Sequence, residues 1–403
     1  MKELLRVVSK NNKKIINILV YIYLFSLVRC SEPSSPTNSS WIPLGLNLKN
    51  ITKIKTTKTY VYACASYDGL FRHPISSTNS DWEYIGLEHT TLIHGIDTTK
   101  GVNGPNTVGI NDVIINPNNE NEILAAIVTL KPNVPGIYKT TDGGKHWYEA
   151  DSGYGFIPYW WPDDSGKFNP WKSAQVLFNP ANQFDIIFAG DIGSDGIYWS
   201  TNSGLTWQAL IKPTVNAFSQ VNSFLQDPID ANIIYIGGSS SHEDASVIQP
   251  AWFIKSTNGI ESAWETLIPK LPDNLYFNNI VDDICITTKP NTIYLGMRGF
   301  VLGNRDGGKT WNKLLTDPEY ISQIFSIEVS PKNEKHLLAA NGYIFLESLD
   351  AGRTWIKLRK PSNGMVNNLH WDKLTDNLYV ETNDRSGIYV LPNASSLKLN
   401  NLE

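Results

Sequence analysis

From residue 41 onward the chain alternates short apolar runs with turns rich in Gly, Asn, Pro and Ser, and it nowhere sustains the period of a helix. The runs fall into a repeat. TTDGGKHW (Thr140 to Trp147), STNSGLTW (Ser200 to Trp207), NRDGGKTW (Asn304 to Trp311) and SLDAGRTW (Ser348 to Trp355) are one pattern. STNGIESAW (Ser256 to Trp264) carries one extra residue, and STNSDW (Ser77 to Trp82) is an eroded copy. A short apolar strand precedes each copy, as in GLFR at Gly69, GIYK at Gly136, GIYW at Gly196 and WFIK at Trp252. Before that stands a β-rich run, which ends in several copies at an Asn-Pro or Ser-Pro turn, at Pro117, Pro180 and Pro331. Four short strands per repeat make one blade of an all-β propeller.

The repeat tryptophans Trp82, Trp147, Trp207, Trp264, Trp311 and Trp355 complete six blades. The stretches MVNNLHWD from Met365, NLYVETND from Asn377 and GIYVL from Gly387 supply three more strands without a final Trp. WIPLGL, from Trp41 to Leu46, resembles the outer strands TWQALI and AWETLI. The expectation is a seven-bladed β-propeller of four-stranded blades spanning 41–392, its ring closed by the N-terminal strand so that no sheet edge is left open. Residues 393–403 read as a C-terminal tail.

The residues before the propeller read as an address. Lys2, Arg6, Lys10, Lys13 and Lys14 form a basic stretch ahead of the apolar run Ile15 to Val28, which is of signal-peptide length and short for a bilayer span. Residues 1–29 are thus a signal or lipoprotein signal segment, and 30–40, opening with Cys30 and SEPSSPTNSS, are a flexible tether. The order basic, apolar, Cys, tether resembles a bacterial lipoprotein signal, which would put a lipid on Cys30. Arg29 stands where such signals carry a small residue, so ordinary cleavage and an uncleaved anchor stay open. The expected location is secreted or anchored to the cell envelope, outside the cytoplasmic membrane, with membrane contact only through the N-terminal anchor.

Charge and cysteine content narrow the partners. The net charge is −5, and because the first 29 residues are basic the remainder carries about ten more acids than bases. With no basic run after Lys14, nucleic acid is excluded as a partner. After Cys30 only Cys64 and Cys285 remain, in blades one and five, too far apart for a bridge and too few for a cysteine-based metal site. His242, Glu243 and Asp244 are a solvated group and not a metal set. No cofactor motif is present, and a monomer is expected.

Asp142, Asp306 and Asp350, with Asn202 and Asn258 in the same slot, suit turns in which a side-chain oxygen accepts the turn's own N–H groups. This run of strand, glycine, aromatic and S/T-x-D/N-x-G-x-T-W resembles the Asp-box (BNR) repeat superfamily, which includes sialidases, xyloglucan hydrolases, sortilin-like receptors and photosystem II stability/assembly factors. The resemblance implies the fold and leaves the chemistry open. FRHP at Phe71 looks like a sialidase signature, but Arg72 fills the slot of Lys139 and Trp199 in later blades, and the chain lacks the arginines that a sialidase gathers on one carboxylate. GDIGSDGIYW, from Gly190, resembles the stretch in which xyloglucanase-like enzymes carry a catalytic aspartate, which would be Asp191 here. Those enzymes set acid and base on two propellers, and this chain has length for one. Photosystem factors match in size and export signal, and they bind an assembling complex without catalysis.

In such a propeller the loops after the second and fourth strands share one face. The long connections Glu88–Val108, Asp151–Trp171, Ser239–Pro250 and Pro269–Val281 all belong to it. The second sets Tyr159, Trp160, Trp161 and Trp171 beside Asp163 and Asp164, rings and carboxylates that suit a sugar or a protein hot spot, and equally a small satellite core. The expected function is a binding or assembly scaffold for a protein or glycan ligand. A xyloglucanase-like glycoside hydrolase using Asp191 is the alternative, and a sialidase ranks behind it.

Overall fold

A computed structural model describes residues 41–88, 108–129, 136–153, 175–178, 187–190, 197–209, 220–239 (without 228, 231 and 232), 251–256, 264–267, 281–315 (without 288, 290, 298 and 299) and 324–399 (without 325, 383 and 398). The strands in these residues form seven four-stranded antiparallel sheets. The innermost strands, one per blade in order, are Lys53–Thr56, Val108–Ile115, Gln175–Phe178, Gln220–Gln226, Val281–Ile286, Ser326–Val329 and Val366–Trp371. Each lies against the next, and the last lies against the first, so the sheets stand in a closed ring around a central channel.

Closure comes from the two ends of the propeller. Ile42–Gly45 is the outer strand of the blade whose other three strands come from residues 366–391, with Ile42 opposite Val390 and Pro43 opposite Tyr389. Trp41 and Leu44 are buried by it. The approach is tight enough that Gly387, at φ 94°, would set a Cβ 2.0 Å from the Gly45 carbonyl oxygen, so only glycine fits. Beyond Leu391 the chain stays on the propeller. Ala394 and Leu399 are buried with the last blade's core, and the Leu399 N–H donates to Glu347 Oε1 at 3.1 Å. The segment read from sequence as a tail therefore contributes packing through Leu399.

Between blades, successive apolar faces form the core clusters, such as Tyr62, Cys64 and Leu70 of blade one against Ile110, Val113 and Ile123 of blade two. Cys64, in the second strand of blade one, and Cys285, in the innermost strand of blade five, are both free and buried, and burial pushes both thiols well above their ordinary pKa. Among the described residues no helix is long and apolar enough to cross a membrane.

Four of the repeat tryptophans also join blades directly. Trp82, Trp147, Trp207 and Trp355 each donate the indole N–H to a backbone carbonyl of the preceding blade, at Leu44 (2.7 Å), Ile85 (2.8 Å), Ala150 (2.7 Å) and Leu314 (3.2 Å). Trp311 packs edge-on against Phe253 of the preceding blade instead, and its N–H returns to Gly308 of its own turn.

Candidate functional site

The channel is a cavity of about 540 Å³, and its wall is made by the innermost strands. Those strands share a local device. In four of them the register shifts by one residue, just before Asp112, Ser223, Asp283 and Asn368. Such a bulge turns two successive side chains out of the strict alternation, which is why the sequence has polar pairs there: Asn111-Asp112, Asn222-Ser223, Asp282-Asp283 and Asn367-Asn368.

Short polar side chains here join blade one to two, four to five, five to six, six to seven and seven to one. Asn222 Nδ2 donates to the Val281 carbonyl at 3.1 Å. Asp283 accepts the Ile284 N–H on Oδ1 at 3.0 Å and the Ile327 N–H of the following blade on Oδ2 at 2.9 Å. Ser326 Oγ exchanges bonds with the Leu369 backbone at 3.3 and 3.4 Å. Asn368 Nδ2 reaches the Ile51 carbonyl at 3.4 Å, and Thr52 Oγ1 the Ile110 carbonyl at 3.0 Å.

Charged groups fill the space between. Burial disfavours the Lys53 ammonium, but Asp112, Asp283 and Glu328 outweigh it and raise the pKa, so the cation is held. Lys55 Nζ lies 3.6 Å from Asp112 Oδ1, and Asp112 Oδ1 also takes the Val113 N–H. Burial, helped by the Asp283 charge, pushes Glu328 up to about 8, so it carries its proton at neutral pH. Burial likewise holds His370 neutral by lowering its pKa to about 4, with Lys55 adding to the effect. Its Nε2 shares Thr56 Oγ1 at 2.8 Å, and the same hydroxyl donates to Asp372 Oδ1 at 2.8 Å.

The wall is therefore polar, nearly balanced in charge and internally bonded. Ordinary glycoside hydrolysis needs two carboxyl groups free to flank one bond. Asp283, the neighbour that helps keep Glu328 protonated, already has both oxygens on backbone N–H groups, and its pKa is raised by burial. Asp283 is thus held in place by the backbone, while Glu328 keeps the kind of proton a general acid would donate.

Of the residues singled out from sequence, Asp191, Tyr159, Trp160, Trp161, Asp163, Asp164, Trp171, Cys30 and Asn258 lie outside the described residues. Gly190, the residue before Asp191, ends the second strand of blade three opposite Gln175, where that blade's innermost strand begins. The turn residues are described. Asp142 Oδ1 accepts the His146 N–H and the Thr140 hydroxyl. Asn202 and Asp350 repeat both bonds with Thr206 and Ser200, and with Thr354 and Ser348. Asp306 takes the Thr310 N–H and hydroxyl. The Thr310 hydroxyl and N–H hold Asp306 at about 2, and the His146 ring, 2.6 Å from Asp142 Oδ2, together with the His146 N–H holds Asp142 lower still. Gly144, at φ 94° with its N–H on Thr140 Oγ1, lets the same turn approach Ile85 of the preceding blade, where a Cβ would meet the Ile85 carbonyl oxygen at 2.4 Å. Arg72 makes a bidentate pair with Glu83 on the neighbouring outer strand, at 2.7 and 2.9 Å, so the sialidase-like arginine is spent within its own blade.

Sequence reasoning passed over Lys53, Lys55, Glu328 and His370. Their signal was present as polar residues alternating with apolar ones in KIKT, SIEV and NLHW, the mark of a strand with one wet face.

No protein-family model matches the chain, and no curated protein sequence matches it. Solved structures do. YCF48 from Cyanidioschyzon merolae is similar with a TM-score of 0.57 at 14% identity, over 89% of this chain and 99% of that one. A structure of YCF48 bound to D1 peptide is similar with a TM-score of 0.53 at 16% identity, over 87% and 95%. The GH74 enzyme of Niastella koreensis is similar with a TM-score of 0.57 at 18% identity, over 87% of this chain and 53% of that one, so the present chain spans about half its length. At these identities the likeness is one of fold, a β-propeller of four-stranded blades that is used elsewhere both for binding and for glycoside hydrolysis.

Proposed function

We propose that this chain is an exported, Asp-box-type binding propeller that takes a protein or glycan ligand on the channel face where the innermost strands begin. The observation that carries the proposal is the engagement of the channel carboxylates. Asp112 and Asp283 are bound to backbone N–H groups, which anchors these acids in a rigid polar lining. The long connections 88–108, 151–171, 239–250 and 269–281 depart from this rim, and Tyr159, Trp160, Trp161 and Trp171 with Asp163 and Asp164 are the proposed contact residues. Large rings beside carboxylates supply the stacking and hydrogen bonding that a sugar or a peptide needs. The YCF48 structure with bound D1 peptide supports peptide recognition by a propeller of this build. Export, with Cys30 as the lipidated residue, belongs to the same proposal.

The second reading is a xyloglucanase-like hydrolase with Asp191 in its catalytic set. It is favoured by one observation, that Asp191 directly follows a strand ending at the same rim. A glycan array run beside a reducing-sugar assay on the full chain separates the two. For a binding propeller, Trp160→Ala or Trp161→Ala weakens the ligand by about 2 kcal/mol or more, while Asp191→Asn changes little. Hydrolysis of a β-glucan that disappears in Asp191→Asn would overturn the binding proposal.

A further inference from the structure

At the other end of the innermost strands, between blades five and six, lie two adjoining cavities of about 300 and 270 Å³. They share Tyr294, Arg305, Ala351 and Arg353 in their walls. Four turns meet here and each brings one cation. Lys289 comes from the turn after the innermost strand of blade five and Lys335 from the matching turn of blade six, while Arg305 and Arg353 come from the Asp/Asn turns of the same two blades.

The two acids in the wall do not cancel this charge. Asp350 is committed to its own turn, accepting the Thr354 N–H and the Ser348 hydroxyl on Oδ1 and the Thr354 hydroxyl on Oδ2, at 2.7 to 2.9 Å. Glu334 leaves the group with a net positive charge even when ionised. Among the described residues none of the four cations takes part in a salt bridge. A second observation points the same way. Thr292, 4% exposed, lines the larger cavity, and its buried hydroxyl has no hydrogen-bond partner among the described residues. Unsatisfied buried polar groups are rare enough to need a reason. In a chain whose net charge is −5, so local a concentration of cations stands against the overall field.

We infer that this cleft is a binding site for a tetrahedral oxyanion, a phosphate or sulfate group. One arginine fork satisfies a planar carboxylate. Two guanidinium groups and two ammonium groups converging from four turns suit a multiply charged anion that accepts bonds on several sides. The site is separate from the channel rim and does not depend on what binds there.

The test is isothermal titration of sodium phosphate, sodium sulfate and sodium acetate into the full chain, with chloride balancing the ionic strength. Saturable one-site binding of phosphate or sulfate is expected, with acetate at least tenfold weaker. In the double variant Arg305→Gln/Arg353→Gln, binding should weaken at least tenfold. In Lys58→Gln/Lys145→Gln, which removes equal charge from blades one and two, it should be unchanged. Both arginines are exposed, so the first variant should keep the parent melting temperature, and that measurement separates lost binding from lost fold. Absence of saturable phosphate and sulfate binding, equal weakening in both double variants, or acetate binding as tight as phosphate would overturn the assignment.

Discussion

The blades are joined at two radii, by tryptophan at the rim and by short polar side chains along the channel, and the two joints differ in what water can replace. At the rim, Trp207 is 3% exposed and combines a buried ring with the bond to Ala150. Removing it costs both packing and a satisfied carbonyl. Along the channel, Asp283 and Asn368 line the cavity, so water can take over much of a lost bond. The ring is therefore held mainly from the outside, and the channel joints fix register more than they supply stability.

The largest test removes the rim joint where the ring closes. Deleting residues through Leu46 takes away the outer strand of the last blade and the Leu44 carbonyl that accepts from Trp82, yet leaves the channel bond from Asn368 to Ile51 in place. Loss of a buried Trp and its strand is expected to destabilise by several kcal/mol. Thermal unfolding checks it, and an unchanged melting temperature would mean that the channel joints suffice.

Within the closed ring the same contrast can be measured residue by residue. Trp207→Ala should cost about 3–5 kcal/mol in denaturant unfolding, as expected for a buried Trp. Asp283→Asn keeps an acceptor oxygen for one of its two backbone donors and should cost about 1 kcal/mol. Equal losses would erase the distinction between rim and channel.

How far each joint was legible follows from its geometry. The rim tryptophans recur at a fixed place after a glycine turn, so WIPLGL could be matched to outer strands far along the chain, and the closure strand with it. The pair Asp282-Asp283 reads in sequence as the start of an inner strand near the channel, but its bond to the Ile327 N–H becomes visible only when the neighbouring blade is in place. Lys53 and Glu328 were illegible as a site because each sits in an ordinary alternating strand, and only the closed ring brings residues 53 and 328 together. The same holds for the cationic cleft, whose members at 289, 305, 335 and 353 come from four separate turns. The aromatic segment around Trp160 was conspicuous in sequence for its composition, which says what it could bind and nothing of how its rings are arranged.

The finest comparison sets two protonated glutamates against each other, one sealed in a blade and one on the channel wall. Burial raises Glu381, fully enclosed in the second strand of the last blade, to about 8, with Asn368 offsetting only part of the cost. Burial also raises Glu328 to about 8, but Glu328 is only half buried and lines the channel. In both cases the folded chain binds the proton more tightly than the unfolded chain, whose glutamate titrates at its ordinary value of 4.5. Stability from each group is thus complete below that value and is lost as pH rises toward about 8, where the folded form must ionise a buried carboxyl. Replacing Glu381 with Gln keeps the shape and removes the titration. Over this window the parent should lose up to about 1.4 kcal/mol per pH unit relative to Glu381→Gln. Glu328→Gln should flatten the profile by a similar amount, because the same rise to about 8 carries the same linkage, and a smaller change would mean that channel water relaxes around the ionised carboxylate. Unfolding curves at pH values spaced across this window decide it. A larger slope change for Glu328 than for Glu381 would mean that the channel is the drier of the two places, and the contrast between the two joints would have to be reversed.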